Sequence, residues 1–407
     1  MHPICILKNP IQEYAWGSLY ALPELLGTPS PAQRPQAELW MGAHPRAPSL
    51  VFYNRQWIPL AQWIALDPAS ILGEAVRNRF AARLPFLFKV LAVEKPLSVQ
   101  VHPNADQARK GFARENALGI RPDAPHRSYR DDNHKPEIIC ALTDFWALNG
   151  FRKIPDTLRL FEMLSVSDLM GPLADFRRQA NAGGLKSFFT TLMCTERGRR
   201  DRIVMEAVDK AEKLASLDPV FEWMILLNLR CPTDIGVFSP LLLNLVHLRP
   251  GEAIFLPPGD IHSYLGGIGI ELMANSDNVI RCGLTSKHID IPELLDVVSF
   301  EEKEISILTP RAVPGGEKVY DSPGREFILS TVAVFKDQPF TSSSNRSVEV
   351  MICMEGRAVV TDFGTGASLE VGKGSSVVVP ACVGQYCIKG EAALYKASVP
   401  LHPALHR

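Results

Sequence analysis

Apolar residues recur with a period of two in the first and last thirds of the chain and with a helical period between them. From Leu84 to His102 the sequence reads LPFLFKVLAVEKPLSVQVH, an apolar run followed by strict alternation over Leu97, Val99 and Val101. This predicts strands, and it places Ser98, Gln100 and His102 together on the opposite, polar face. From about residue 153 to 228 the pattern changes: Ile203, Val204, Ala207, Val208, Ala211 and Leu214 fall at helical spacing among charged residues. Asp218 and Pro219 offer an N-cap and first-turn proline for a further helix over FEWMILLNL. The stretch is expected to be an all-helical insert.

After Cys231-Pro232 short strands broken by Gly and Pro return, and they contain an internal echo. Residues 248–261, LRPGEAIFLPPGDI, match residues 371–384, VGKGSSVVVPACVG, aligning Gly251 with Gly374 and Pro257 with Pro380. Each copy reads as a turn, a buried strand and a proline-marked corner, the pattern of a small antiparallel barrel assembled twice. His262 in the first copy faces Gln385 in the second. If His262 binds a metal, the second barrel has lost that ligand and is structural. The expected fold is therefore mainly β with an α-helical insert.

Composition narrows the function. The 407 residues suggest two or three units with well-formed cores. Lys and Arg number 43 against 44 Asp and Glu, which leaves no overall field to attract nucleic acid or an anionic membrane. The start, Met1-His2-Pro3-Ile4-Cys5, lacks a signal-peptide layout, and no apolar run is long enough to span a bilayer, so a cytoplasmic protein is expected. Eight cysteines without CxxC spacing read mostly as reduced core thiols. Neither GxGxxG after a strand, GxxxxGK[ST] nor GxSxG is present, which removes nucleotide-driven chemistry and serine hydrolysis. No partner chain is called for, and a monomer is expected.

Three clusters carry metal-capable side chains: Gln100-Val101-His102-Pro103, His134-Lys135-Pro136-Glu137 and Asp260-Ile261-His262. Gln100 and His102 point the same way from a strand, and a carboxylate with a second histidine would complete a mixed nitrogen and oxygen shell suited to zinc. Each piece also has a plainer reading. A lone histidine is more often a hydrogen-bonded structural residue, Glu137 an ion pair or cap, and Gln100 an exposed amide. Ala274-Asn275-Ser276-Asp277-Asn278 reads first as a turn that bonds its own backbone. Arg281 is different, because a permanent charge inside the short Val-Ile-Arg-Cys strand needs an anionic partner. Lys287 and Lys135 could add positive charge for a phosphate.

At these residues the sequence resembles the type I phosphomannose isomerase family, zinc enzymes of the cupin superfamily. The resemblance runs through Tyr14-Ala15-Trp16-Gly17, Ala37-Glu38-Leu39-Trp40-Met41-Gly42, the QVHP and NHKPE motifs, Pro257-Pro258-Gly259-Asp260-Ile261-His262-Ser263-Tyr264 and Asn275-Ser276-Asp277-Asn278, and covers essentially the whole chain. It implies Gln100, His102, Glu137 and His262 as ligands of one zinc ion, and Arg281 as the catalytic arginine. Departures stand at Cys282, where relatives usually have a small residue, and at Ser286, where they have proline.

The resemblance also implies a small sugar phosphate as substrate and proton transfer between C1 and C2 through an enediol. Lys135, Glu271 and Asp277 are the candidate bases, with Ser98, Tyr264 and Lys287 as substrate contacts. The implied architecture is two cupin-like antiparallel barrels or jelly rolls plus a helical domain. Residues 1–152 and 236–310 would form the catalytic unit, 153–235 the insert, and 311–407 a metal-free C-terminal unit. The rivals are another metal-dependent cupin enzyme and a non-catalytic sugar-binding cupin; intact ligand positions and Arg281 speak against the second.

Overall fold

The structure is a computed structural model and describes residues 2–401. Its architecture is mostly β, with two large antiparallel sheets and a helical segment. The 10-stranded sheet is organised by one long strand, His262–Ala274. The first residues of that strand pair with Phe145–Phe151 and Val99–Val101, while its later residues pair with Phe86–Val93 and Glu137–Ala141. The change of partners needs a bend, and the sequence Leu265-Gly266-Gly267 supplies it. Gly267 has φ of +116°, and a Cβ there would come within 2.5 Å of the Asp144 carbonyl oxygen.

The expected strands at Leu84–His102 form as Phe86–Val93 and Val99–Val101. Between residues 154 and 230 the chain is helical, with Ile154–Leu164, Met170–Arg178, Ala182–Met193, Arg197–Leu214 and Pro219–Arg230. The last starts as expected: the Asp218 carboxylate accepts from the backbone N–H of Val220, and Pro219 occupies the first turn. The helices bury Leu160, Phe161, Phe188, Val204 and Phe221 in a core shared with Val99, Val101 and Ile280 of the sheet.

The 11-stranded sheet contains Ile328–Val334, Glu349–Asp362, Ser376–Val379 and Tyr386–Ser398. It also draws strands from the opposite end of the chain: Cys5–Lys8 pairs with Ser376–Val379, and Leu50–Tyr53 pairs with Cys5–Lys8. The internal echo is visible in the backbone. Gly251 and Gly374 both turn with positive φ, +85° and +81°, and a long strand follows each proline corner. One apolar core joins the sheets, with Ile138, Cys140, Ile270 and Leu272 packed against Tyr320, Phe327, Val350 and Ile352. All eight cysteines are free, and five are buried. Among the described residues no helix is long and apolar enough to cross a membrane.

Candidate metal centre and active site

Register brings the proposed ligands together. Gln100 lies opposite His262 on one neighbouring strand and opposite Arg281 on the other, so the three side chains form a row on one face. Glu137 opens the Glu137–Ala141 strand, opposite both Leu256 and Met273. The result is a buried cluster in which one ligand atom each from His102, Glu137 and His262 lies within 4.8 Å of the others. His102 Nε2 is 3.4 Å from Glu137 Oε1, and His262 Nε2 is 3.4 Å from Glu137 Oε2.

The histidines are prepared as ligands by what lies behind them. His102 Nδ1 is 2.7 Å from the Asn278 carbonyl oxygen, and His262 Nδ1 is 2.8 Å from that of Asp260. A carbonyl only accepts, so each Nδ1 carries the proton and each Nε2 presents a lone pair to the centre. Burial, aided by the Lys135 charge, lowers the His102 pKa to about 4, which keeps the ring neutral at pH 7. For Glu137, burial alone would raise the pKa, but Lys135 and the histidines override it and hold the carboxyl well below the usual range.

The fit to a metal can be tested on these atoms. Glu137 Oε2 is buried without a hydrogen-bond partner, a costly arrangement for an anion unless a cation completes it. Two ligands of a tetrahedral zinc, each about 2.1 Å from the ion, lie about 3.4 Å apart, which matches both histidine–carboxylate separations. Gln100 Nε2 is also 3.4 Å from His262 Nε2. An amide nitrogen cannot ligate, so Gln100 fits the shell with its amide turned over to present Oε1. The residues fit zinc.

A cavity of about 960 Å³ opens beside the cluster. Ser98, Gln100, Lys135, Glu137, Tyr264, Glu271, Asp277, Arg281 and Lys287 all line it. Lys135 Nζ is 2.9 Å from Glu137 Oε1 and 3.5 Å from His102 Nε2. Asp277 faces His44 Nε2 at 3.5 Å and Arg46 at 3.7 Å. Tyr264 is almost fully buried, and burial, with the Glu271 carboxylate nearby, pushes its hydroxyl pKa well up. Cys282 sits at a register shift between Arg281 and Gly283, with its sulfur buried 3.8 Å from that of Met193. Ser286 is at the cavity wall.

Sequence reasoning missed three features. Lys89 is buried in the wall, 2.8 Å from Glu271 and 3.4 Å from Glu38. Burial works against its charge, but the two carboxylates outweigh that and raise its pKa, while burial outweighs Lys89 at Glu271 and pushes that carboxyl up. A lone lysine in the apolar run FLFKVLAV was the available signal, since such a charge needs partners. Arg130 is the second. It joins Arg281 and Lys287 on the cavity wall, and after burial its charge is among the causes that depress both their pKa values.

The third is the part played by Asn278. The expected self-contained turn instead clamps a distant segment: Asn278 Oδ1 accepts from the backbone N–H of Arg130, and Nδ2 donates to the carbonyls of Asp131 and Asn133. Ser276 Oγ donates to Asp131 and accepts from Asn278 N, so only this last bond belongs to the turn itself.

Two buried histidines and a carboxylate that lines a large cavity, with three cationic side chains also on its wall, form a site suited to a metal ion beside a small anion. Comparison with known proteins carries this further. Residues 4–154 match the family model of the type I phosphomannose isomerase catalytic domain. The chain is 43% identical over 356 residues to the mannose-6-phosphate isomerase of Salmonella typhimurium, covering 87% of this chain and 89% of that protein. It is 34% identical over 407 residues to the human enzyme, covering 92% and 93%. Among solved structures, a zinc-bound mannose 6-phosphate isomerase superposes with a TM-score of 0.89 at 38% identity, over 97% of this chain and 99% of that one. A Salmonella typhimurium structure bound to fructose 6-phosphate and zinc gives 0.88 at 39%, with the same coverage. The chain belongs to the type I phosphomannose isomerase family.

Proposed function

We propose that this protein is a zinc-dependent aldose–ketose isomerase that interconverts D-mannose 6-phosphate and D-fructose 6-phosphate, with Gln100, His102, Glu137 and His262 as the zinc ligands. The observation that carries the reading is the unpartnered Glu137 Oε2 beside His262 Nε2, in a buried cluster with His102, where Glu137 lines a cationic cavity. Zinc held there supplies Lewis acidity toward the sugar oxygens at C1 and C2.

The chain's own groups would do the rest. Arg281, with Arg130 and Lys287, binds the phosphate and offsets the negative charge that develops as the enediol forms. Moving a proton between C1 and C2 needs a base beside the sugar. Lys135, Glu271 and Asp277 are the three candidates. Lys135 stands nearest the metal ligands, Glu271 is engaged by Lys89, and Asp277 is oriented by His44 and Arg46. Ser98 and Tyr264 present hydroxyls at the cavity wall.

In this reading the described residues of 1–152 and 236–310 form the catalytic cupin-like barrel, 153–235 the helical insert, and those of 311–407 a second, metal-free barrel that borrows strands from the N-terminal part. The eight free cysteines favour a reducing, cytoplasmic setting, and the protein acts as a monomer. A coupled assay for fructose 6-phosphate formed from mannose 6-phosphate, with glucose 6-phosphate as control substrate, tests the proposal. Zinc-dependent turnover of the first sugar alone is expected; none on mannose 6-phosphate would refute it.

A further inference from the structure

Resting on the isomerase reading, we propose that Glu326, which belongs to the C-terminal β unit, is a positioning residue for the active site: by bonding His134 it fixes the segment that aims Lys135 at the metal cluster.

Residues 133–136 form no strand or helix, yet they deliver Lys135 and lead into Glu137. In an extended segment successive side chains point to opposite sides. Lys135 points inward, 2.9 Å from Glu137, and His134 points outward, with Nε2 2.9 Å from Glu326 Oε1. Holding the outward ring therefore fixes the direction of the inward ammonium. The other bonds of the segment tie its backbone and Asn133: the Asn133 carbonyl accepts from Asn278 and Ser276, and the Pro136 carbonyl accepts from Ala274 N. His134 N also donates to Asn133 Oδ1 and Lys135 Nζ is held at its far end by Glu137, while the hydrogen bond of the His134 ring is the one to Glu326.

Glu326 has a rigid base. The next residue, Phe327, is fully buried in the core shared by the two sheets, and Glu326 itself is 8% exposed. The same unit also grips the far part of the Glu137–Ala141 strand from behind. Cys140 Sγ is 3.1 Å from the Tyr320 hydroxyl, which donates to the Gly251 carbonyl at 2.8 Å. The metal-free unit thus braces the back of the metal-bearing strand while Glu326 sets the approach to it.

The test is steady-state kinetics on zinc-loaded protein, combined with zinc affinity by chelator competition and thermal midpoints. Glu326→Met keeps the volume and removes the acceptor; it should lower kcat about tenfold, as loss of a supporting partner does at metal sites. KM, zinc affinity and the thermal midpoint should stay near wild type. Glu326→Gln, whose amide oxygen still accepts from His134, should recover most of kcat. In a His134→Ala background Glu326→Met should cost nothing further. The proposal is overturned by a wild-type kcat in Glu326→Met, by an undiminished loss in the His134→Ala background, or by a loss that follows zinc affinity and melting together. A wild-type protein inactive on mannose 6-phosphate would instead remove the isomerase reading on which this one rests.

Discussion

Glu137 and Glu349 occupy equivalent places in the two sheets and meet opposite fates. Glu137 lies opposite Leu256 and Glu349 opposite Val379, and Leu256 and Val379 are matching positions of the internal repeat. Around Glu137 stand two buried histidines and an open cavity, and one carboxylate oxygen has no donor. Around Glu349 both oxygens are taken: Oε1 accepts from Lys396 at 2.9 Å, and Oε2 accepts from the Tyr386 hydroxyl at 2.8 Å with Arg346 at 3.3 Å. Gln385, where the first copy has His262, is exposed and donates to the Ser342 carbonyl. The second site is closed by side-chain cations, whereas the first is left for an ion from solution. A buried carboxylate serves stability when its own chain completes it and chemistry when it does not.

The largest effect should follow from breaking the incomplete site. Glu137→Ala should abolish zinc binding and cut turnover by more than about 10³-fold, beyond the 10² to 10³ that one oxyanion-stabilising group supplies. Metal content and kcat on the same sample would show it, and retention of both would reverse the assignment of the two carboxylates. The completed site should respond in the other currency. Glu349→Ala leaves Arg346 buried without its anion and Lys396 with Glu317 alone, which costs about 3 kcal/mol in denaturant unfolding, while the folded fraction keeps its specific activity. Arg281→Ala should lower turnover about 10² to 10³-fold and leave zinc content unchanged.

The smallest effect concerns pH. Burial lowers the pKa of His44 to about 4, so between about 6.5 and 4 the unfolded chain binds a proton that the folded chain refuses. Stability should therefore fall as pH drops through that window, with this group adding a slope of up to about 1.4 kcal/mol per pH unit. Denaturant curves at pH 7 and pH 5 for wild type and His44→Gln should differ by that contribution; identical pH dependence would place His44 outside the account.

What the sequence revealed was local, and what it hid was long-range. Alternation over Leu97, Val99 and Val101 placed Gln100 and His102 on one face because the period of a strand is set by its own backbone. Gly251 and Gly374 marked matching turns because positive φ favours glycine, and this singled out His262 against Gln385. The ligand set and substrate came from the resemblance, since no spacing rule ties Gln100 to Glu137 or His262. The partners of Lys89 could not be read because Glu38 and Glu271 come from strands far away in the chain. The pairing of Cys5–Lys8 with Ser376–Val379, and the equivalence of Glu137 and Glu349, likewise depend on register between distant segments, which no local pattern encodes.

Zinc titration of chelator-stripped protein, reading bound metal and mannose 6-phosphate turnover together, tests the central claim most directly. Activity should be absent at the start, rise in proportion to zinc, and saturate at one ion per chain. Full turnover in the stripped protein, or zinc bound without any gain in turnover, would contradict it.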